Sequence, residues 1–189
     1  MVRWASAAAA VLIGVFGISM SSEANRAYIM REMNELFGND VNTRVNNNEV
    51  LESDRTEKYA CEKIENTLDI KMPRFFYLPD KLEYQAYTLD EEAGAGILQY
   101  SYDEQIIFLT AFLNENKASV LNQNDNGVLI ETFQNDFIPE LKITLWKIEE
   151  KEDKTPIYAL RWEYKNSYYE FFGGIQEKEM ENIAKNIMY

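Results

Sequence analysis

The stretch LKITLWKI, from Leu141 to Ile148, decides the fold, because its side chains alternate between apolar and polar character. Successive side chains of an extended chain point to opposite faces, so this period of two is typical of a β-strand. One face would carry Leu141, Ile143, Leu145 and Lys147, and the other Lys142, Thr144, Trp146 and Ile148.

The same character recurs through the second half of the chain. Strands are predicted over Leu82 to Leu89, Gly96 to Tyr102, Gln105 to Leu113, Gly127 to Phe133, Pro156 to Tyr164 and Tyr168 to Phe172. Most of the stretches between them are short, and Asn126-Gly127 is a strong hairpin-turn dipeptide. Parallel strands need crossovers of about a dozen residues or more, so we expect an antiparallel meander of about six to seven strands.

Helical spacing appears on either side of the strands. Thr56 to Leu68 brings Cys61, Ile64 and Leu68 onto one face, and we expect the Cys61 thiol in the core. Gln176 to Met188 forms a second amphipathic pattern, whose apolar side carries Met180, Ile183, Ala184 and Ile187. The order predicts an α+β domain over residues 23–189, with helices on one face of the sheet.

The N-terminal segment predicts where the protein lies. Residues 4–20 contain no charge, and the serines that follow extend this stretch to residue 22. We therefore interpret residues 1–22 as a transmembrane anchor. Arg3 precedes the apolar stretch, and a positive charge on that side predicts that the bulk of the chain lies outside the cytoplasm. A cleaved signal peptide ending near Ser22-Glu23-Ala24 is the rival interpretation, and a buried helix of a soluble protein is a third. A helical pattern continues over residues 24–37, and residues 39–54 are predicted as a strand followed by a loop.

Composition excludes several classes of function. The chain of 189 residues has no histidine, one cysteine and a net charge of −13. Catalytic triads that use histidine, His-containing zinc sites and intrachain disulfides are therefore impossible on this chain. Nucleic-acid binding requires clustered Lys and Arg, which so acidic a chain does not favour. We expect no enzymatic activity and no cofactor.

The remaining candidate sites are few. Aromatic rings with nearby acids can bind sugars, and the last predicted hairpin carries Glu163 and Glu170 among such rings. The possible ligand-binding rings are Tyr158, Trp162, Tyr164, Tyr168 and Tyr169. Alternating core and surface positions are the favoured interpretation of the same residues. Residues 122–127 imitate the start of a calcium loop, but its twelfth position is Phe133 rather than a carboxylate, so a hairpin turn is favoured.

Three parts of the chain resemble a known family. They are the apolar segment that runs into Ser22-Glu23-Ala24-Asn25-Arg26-Ala27, the helix that leads to Pro73-Arg74-Phe75-Phe76-Tyr77-Leu78-Pro79, and the ending. The ending comprises Arg161-Trp162-Glu163-Tyr164, Tyr168-Tyr169-Glu170-Phe171-Phe172 and the helix around Glu179-Met180-Glu181-Asn182-Ile183-Ala184. Together they resemble the family called domain of unknown function 4367, which occurs in Firmicutes as the extracytoplasmic part of membrane-anchored anti-sigma factors and related surface proteins.

The resemblance implies a non-catalytic sensory or regulatory domain outside the membrane. Its partners would be the membrane, through residues 4–22, and a sigma factor bound by a cytoplasmic part that is not on this chain. Since only three residues precede the apolar segment, we expect the sequence to be a fragment of a longer protein. A surface-anchored module that binds glycans or the cell wall is the alternative function.

Overall fold

A computed structural model describes residues 56–103, 105–113, 127–148 and 156–189. Within these ranges the helices are α1 (Glu57–Leu68) and α2 (Glu177–Lys185). The strands are β1 (Arg74–Phe75), β2 (Glu83–Asp90), β3 (Ala95–Tyr102), β4 (Gln105–Leu113), β5 (Gly127–Gln134), β6 (Lys142–Ile148), β7 (Ile157–Tyr164), β8 (Ser167–Gly173) and β9 (Ile187–Met188). The predicted anchor, the pattern at 24–37, the strand at 39–54 and the calcium-like residues 122–126 lie outside the described residues.

Strands β2 to β8 form one antiparallel sheet of seven strands, in the order β2-β3-β4-β8-β7-β6-β5. The antiparallel α+β class is therefore confirmed, but the single meander is wrong. Two meanders, β2 to β4 and β5 to β8, are joined where β4 pairs with β8. The turn predicted at Asn126-Gly127 begins outside the described residues, and β4 and β5 are not neighbours, since three strands separate them in the sheet.

The burial of the strands explains this order. Strand β8 is buried along its whole length, and β4 is buried at all but its two ends. Strands that are apolar on both faces are stable only inside a sheet, whereas β5 is mostly exposed and occupies an edge. The β4–β8 register runs from Phe108 opposite Phe172 to Leu113 opposite Ser167, and the rings of Phe108 and Phe172 stack at 5.5 Å.

Helix α1 has the bounds that its spacing predicted. The Thr56 side chain caps its N-terminus by accepting a hydrogen bond from the Tyr59 N–H at 3.3 Å, and Asp69 ends it in the left-handed conformation. Its buried face is formed by Ala60, Cys61, Ile64 and Leu68, so the core position predicted for Cys61 is confirmed. This face packs against β2 and β3.

Helix α2 ends at Lys185, three residues before the predicted end at Met188. The chain leaves the helix at Asn186, whose N–H donates to the Ile183 carbonyl. Strand β9 then pairs with β1, with Arg74 opposite Met188 and Phe75 opposite Ile187. The apolar spacing of Ile187 continues the helical pattern, but pairing with the distant β1 overrides this local preference.

Apolar side chains cover both faces of the sheet. The face that carries both described helices, called the helix face, buries a large cluster that includes Ile64, Leu109, Leu145, Phe171 and Met180. The opposite face carries a second cluster, whose members are Ile97, Ile106, Phe108, Ile148, Ile157, Ala159 and Phe172, with Trp146 packed against it. The alternation within β6 is thereby confirmed. No helix among the described residues is long and apolar enough to cross a membrane.

Candidate functional site

The structure places the predicted ligand-binding rings mostly in the interior. Tyr158, Trp162, Tyr168 and Tyr169 are buried, and Tyr164 is half-buried. Trp162 stacks on Tyr169 at 5.5 Å, and its indole N–H donates to the Tyr189 hydroxyl at 2.7 Å. The favoured interpretation, alternating core and surface positions, is right in placing rings in the core, but β8 is buried on both faces and does not alternate. Ligand binding by these rings stays a prediction.

The two carboxylates of the same hairpin differ in their surroundings. Glu170 is buried on the opposite face, and its Oε1 lies 2.7 Å from Nε of Arg161, its partner in the β7–β8 register. The Arg161 guanidinium also lies over the Trp146 ring, 5.4 Å from its centroid. Glu163 is exposed and lies opposite Tyr168. Glu170 is therefore the partner of a buried cation.

The exposed apolar side chains lie elsewhere in the fold. In the described ranges, the large hydrophobic residues counted as exposed are Tyr59, Phe76, Val128, Leu129, Ile130 and Phe137. Phe76 is 71% exposed and Phe137 is 47% exposed, and their ring centroids lie 5.6 Å apart at an interplanar angle of 53°. We call Phe76 and Phe137 the phenyl pair. Solvent exposure of two contacting rings is characteristic of an interaction surface.

The C-terminus of α2 holds the phenyl pair in place. The last carbonyls of a helix have no partner within it, so other groups must donate to them. Here the Asp136 N–H donates to the Lys185 carbonyl at 3.2 Å, and the Phe76 N–H donates to the Asn186 carbonyl at 2.8 Å. Two segments that are distant in sequence are thereby brought to the same helix end.

Buried Asn135 completes this arrangement. Its Nδ2 donates to the Ala184 carbonyl at 3.0 Å. Its Oδ1 accepts hydrogen bonds from the N–H groups of Phe137, at 2.9 Å, and Ile138, at 2.8 Å. The side chain of Asn135 therefore fastens the turn that presents Phe137 to the end of α2.

The neighbourhood of the pair contributes further polar contacts. The Tyr77 hydroxyl donates to a carboxylate oxygen of Glu179 on α2, and this hydrogen bond raises the pKa of Tyr77. The Lys185 ammonium lies over the Phe133 ring, 5.4 Å from its centroid. Two exposed rings on a hydrogen-bonded support can bury an apolar side chain of a partner at a low cost in conformational entropy.

In the described ranges, no group of three or more acidic or Cys side chains is arranged to hold a metal ion.

Sequence reasoning missed this site. Phe76 stands out in the sequence only as part of the family resemblance between Pro73 and Pro79, and no pattern singles out Phe137. The available signal was an aromatic residue in the turn-type stretch Asn135 to Pro139, where an apolar side chain is not needed to continue a strand. That signal does not reveal that Phe76 is its neighbour.

The comparisons with known proteins give one match. A family model described as "Domain of unknown function (DUF4367)" matches residues 72–187. The match covers β1 to β8, α2 and the first residue of β9, and hence both rings of the phenyl pair. No curated protein and no solved structure matches the chain.

Proposed function

Since this chain belongs to the DUF4367 family, we propose that it is a non-catalytic regulatory domain that acts by binding another protein. In this proposal it lies outside the cytoplasm, is held at the membrane by residues 4–22, and belongs to an anti-sigma-factor-like protein. A cytoplasmic part of that protein would bind the sigma factor.

The phenyl pair carries the proposal. Exposing two aromatic rings to water is unfavourable for an isolated domain, and aromatic side chains are enriched among the residues that dominate protein–protein binding energy. The hydrogen bonds from Asn135, Asp136 and Phe76 to the end of α2 fix the rings before a partner arrives. Helix α2 also packs on the sheet, so a partner bound at the rings would contact an element of the core.

Transcript profiling in the bacterium that encodes the chain tests this function. The strains would carry the intact gene, a deletion, Phe76→Ser, Phe137→Ser or the matched control Tyr59→Ser. Tyr59 is also an exposed aromatic residue, but it lies on α1. We expect the two phenyl-pair variants to change the same transcripts as the deletion, whereas Tyr59→Ser leaves them at the level of the intact strain.

Two measurements make the result specific. Thermal unfolding of each purified variant should remain cooperative, and Phe76→Ser should stay closest to the parent, because its ring is 71% exposed whereas that of Phe137 is 47% exposed. A regulatory role is contradicted if the deletion leaves every transcript unchanged. Saturable binding to a glycan array that survives both phenyl-pair substitutions would instead support the glycan-binding alternative.

A further inference from the structure

Strand β5 forms an edge of the seven-stranded sheet. Among the described residues it pairs only with β6, in a register that runs from Gly127 opposite Ile148 to Gln134 opposite Lys142. The main-chain N–H and C=O groups along its outer side face no other described strand, so a further strand could pair with them. Because β6 holds β5 in an extended conformation, an added strand would not have to order it first.

The side chains of β5 differ from those of a protected edge. Val128, Leu129 and Ile130 are 59%, 48% and 39% exposed. A regular strand of a half-buried sheet would hide alternate residues, but the register shifts between Leu129 and Glu131, and all three aliphatic side chains remain in contact with water. The strand has the sequence GVLIETFQ and lacks the Lys and Pro residues that commonly block pairing at an edge.

The other edge of the sheet, β2, is protected. The strand begins at exposed Glu83, and Lys81 just before it forms an ion pair with Asp103. Helix α1 packs against β2, and Tyr59 on this helix contacts the ring of Tyr87 on the strand. The two edge strands therefore differ, and exposed aliphatic side chains are a feature of β5 and not of both edges of the sheet.

We propose that the outer edge of β5 binds an extended segment of a protein partner, which adds to the sheet as an eighth strand. The segment carries alternating apolar side chains and a net positive charge. Main-chain hydrogen bonds supply the pairing, and apolar side chains of the segment cover Val128, Leu129 and Ile130.

Charge complementarity selects this occupant over a second copy of the chain. The one charged residue of β5 is Glu131, and the whole chain has a net charge of −13, so two copies repel each other. A basic segment is attracted instead. Strand β6, which already pairs with β5, has this chemistry, because KITLWKI alternates in polarity and contains two lysines and no acid.

Fluorescence anisotropy with a defined peptide tests the proposal. The probe is a capped, labelled peptide with the sequence of β6, Lys142–Ile148, and the protein is the full chain in a nanodisc. We expect saturable binding, weakened at least about tenfold by Ile130→Lys and by Val128→Lys. Glu83→Lys is the matched control, because it adds a positive charge at the other edge of the sheet, and it should change the affinity less.

Two altered peptides separate strand addition from other modes of binding. A peptide N-methylated at alternate residues keeps the side chains but loses the main-chain donors on one side, so it should not bind. A peptide in which both lysines are replaced by glutamate should bind more weakly, and the difference should decrease as salt is added.

Several results would overturn the proposal. They are absence of binding up to about 1 mM peptide, equal binding of the N-methylated peptide, and equal affinity of Ile130→Lys and Glu83→Lys. A concentration-dependent dimer of the parent that Ile130→Lys abolishes, without peptide binding, would identify a second copy as the occupant. The proposal uses residues outside the phenyl pair, so Phe76→Ser should leave peptide binding intact, and the two proposals fail separately.

Discussion

At the scale of single residues, the ion pair between Arg161 and Glu170 is the least expected feature of the interior. Both side chains are nearly inaccessible, at 12% and 4% exposure, although the face on which they lie is otherwise largely apolar. Neighbouring groups are hydrogen-bonded as well. The Thr144 hydroxyl donates to the Arg161 carbonyl at 3.0 Å, and the Trp146 indole N–H donates to the Thr144 hydroxyl at 3.0 Å. The charged hydrogen bond from Arg161 to Glu170 is therefore part of a larger hydrogen-bonded group on this face.

Replacing one member of the pair should therefore destabilise the fold. We expect Glu170→Gln to lower the free energy of unfolding by about 1.5–3 kcal/mol, because it removes the charge from the hydrogen bond that half-buried Arg161 donates to Glu170. The double variant Arg161→Met/Glu170→Leu should recover most of this loss. Lys178→Gln, which removes an exposed ion pair with Glu181, serves as the control and should cost less than about 1 kcal/mol. Urea unfolding measures all three, and equal losses for Glu170→Gln and Lys178→Gln would contradict the argument.

At the scale of elements, the packing of α1 on the sheet depends on one glycine. A Cβ atom at Gly96 of β3 would lie 2.6 Å from Cγ2 of Ile64, closer than such atoms can approach. Ile64 is fully buried on the inner face of the helix. The absence of a side chain at residue 96 therefore determines how closely α1 approaches β3.

This close approach predicts a coupled pair of substitutions. Gly96→Ala should destabilise the domain by about 1–3 kcal/mol through overpacking. Ile64→Ala should cost about 2–5 kcal/mol through the cavity that it leaves. The double variant should cost less than the sum, because the new methyl group enters that cavity. Gly127→Ala is the matched control, since its nearest neighbour would lie 3.5 Å away, and strict additivity of the first two substitutions would refute the contact.

The elements themselves were largely predictable from periodicity. The predicted bounds of α1 and of the seven strands of the large sheet agree with the structure to within a residue or two at most ends. The exceptions depend on distant partners. Ile187 belongs to β9 because β1 is beside it, and its local spacing is equally suited to a helix. A pattern of neighbours along the chain carries no information about such a partner.

At the scale of the whole molecule, burial of weakly acidic groups makes the fold sensitive to alkaline pH. Burial raises the pKa of the Cys61 thiol to about 11 and that of Tyr169 to about 12. It also raises the pKa of Tyr100 and of Tyr189 well above the usual range. The folded state therefore holds these protons at pH values where the unfolded chain has released them.

The sign of the pH dependence follows from this difference in bound protons. The unfolded state binds fewer protons above about pH 9, so the free energy of unfolding decreases as the pH rises from about 9 towards 12. We expect the melting temperature to fall steeply over this interval. Absorbance at 295 nm should show the buried tyrosines ionising together with unfolding. A constant melting temperature up to about pH 11, or ionisation of buried Tyr100 or Tyr169 in a chain that is still folded, would contradict this prediction.

The candidate sites show where prediction from sequence ends. The last hairpin was expected to alternate between core and surface positions, but β8 is buried along its whole length, because strands flank it on both sides and apolar clusters cover both faces of the sheet. Phe76 and Phe137 could not be recognised as a pair, because their contact depends on three hydrogen-bonded segments that meet at the end of α2. Exposure of β5 likewise depends on which strand occupies the edge.

By itself, the sequence determined the α+β class, the bounds of most strands, the inner face of α1 and the family to which the chain belongs. Only the tertiary structure decided that β8 returns to pair with β4, that β5 becomes an edge, and that the phenyl pair is exposed. The physical reason is that periodicity sets which side of an element faces the core. Which strands pair with each other depends on the free energy gained when whole strands are buried together. This free energy is a property of the assembled sheet and not of any one strand.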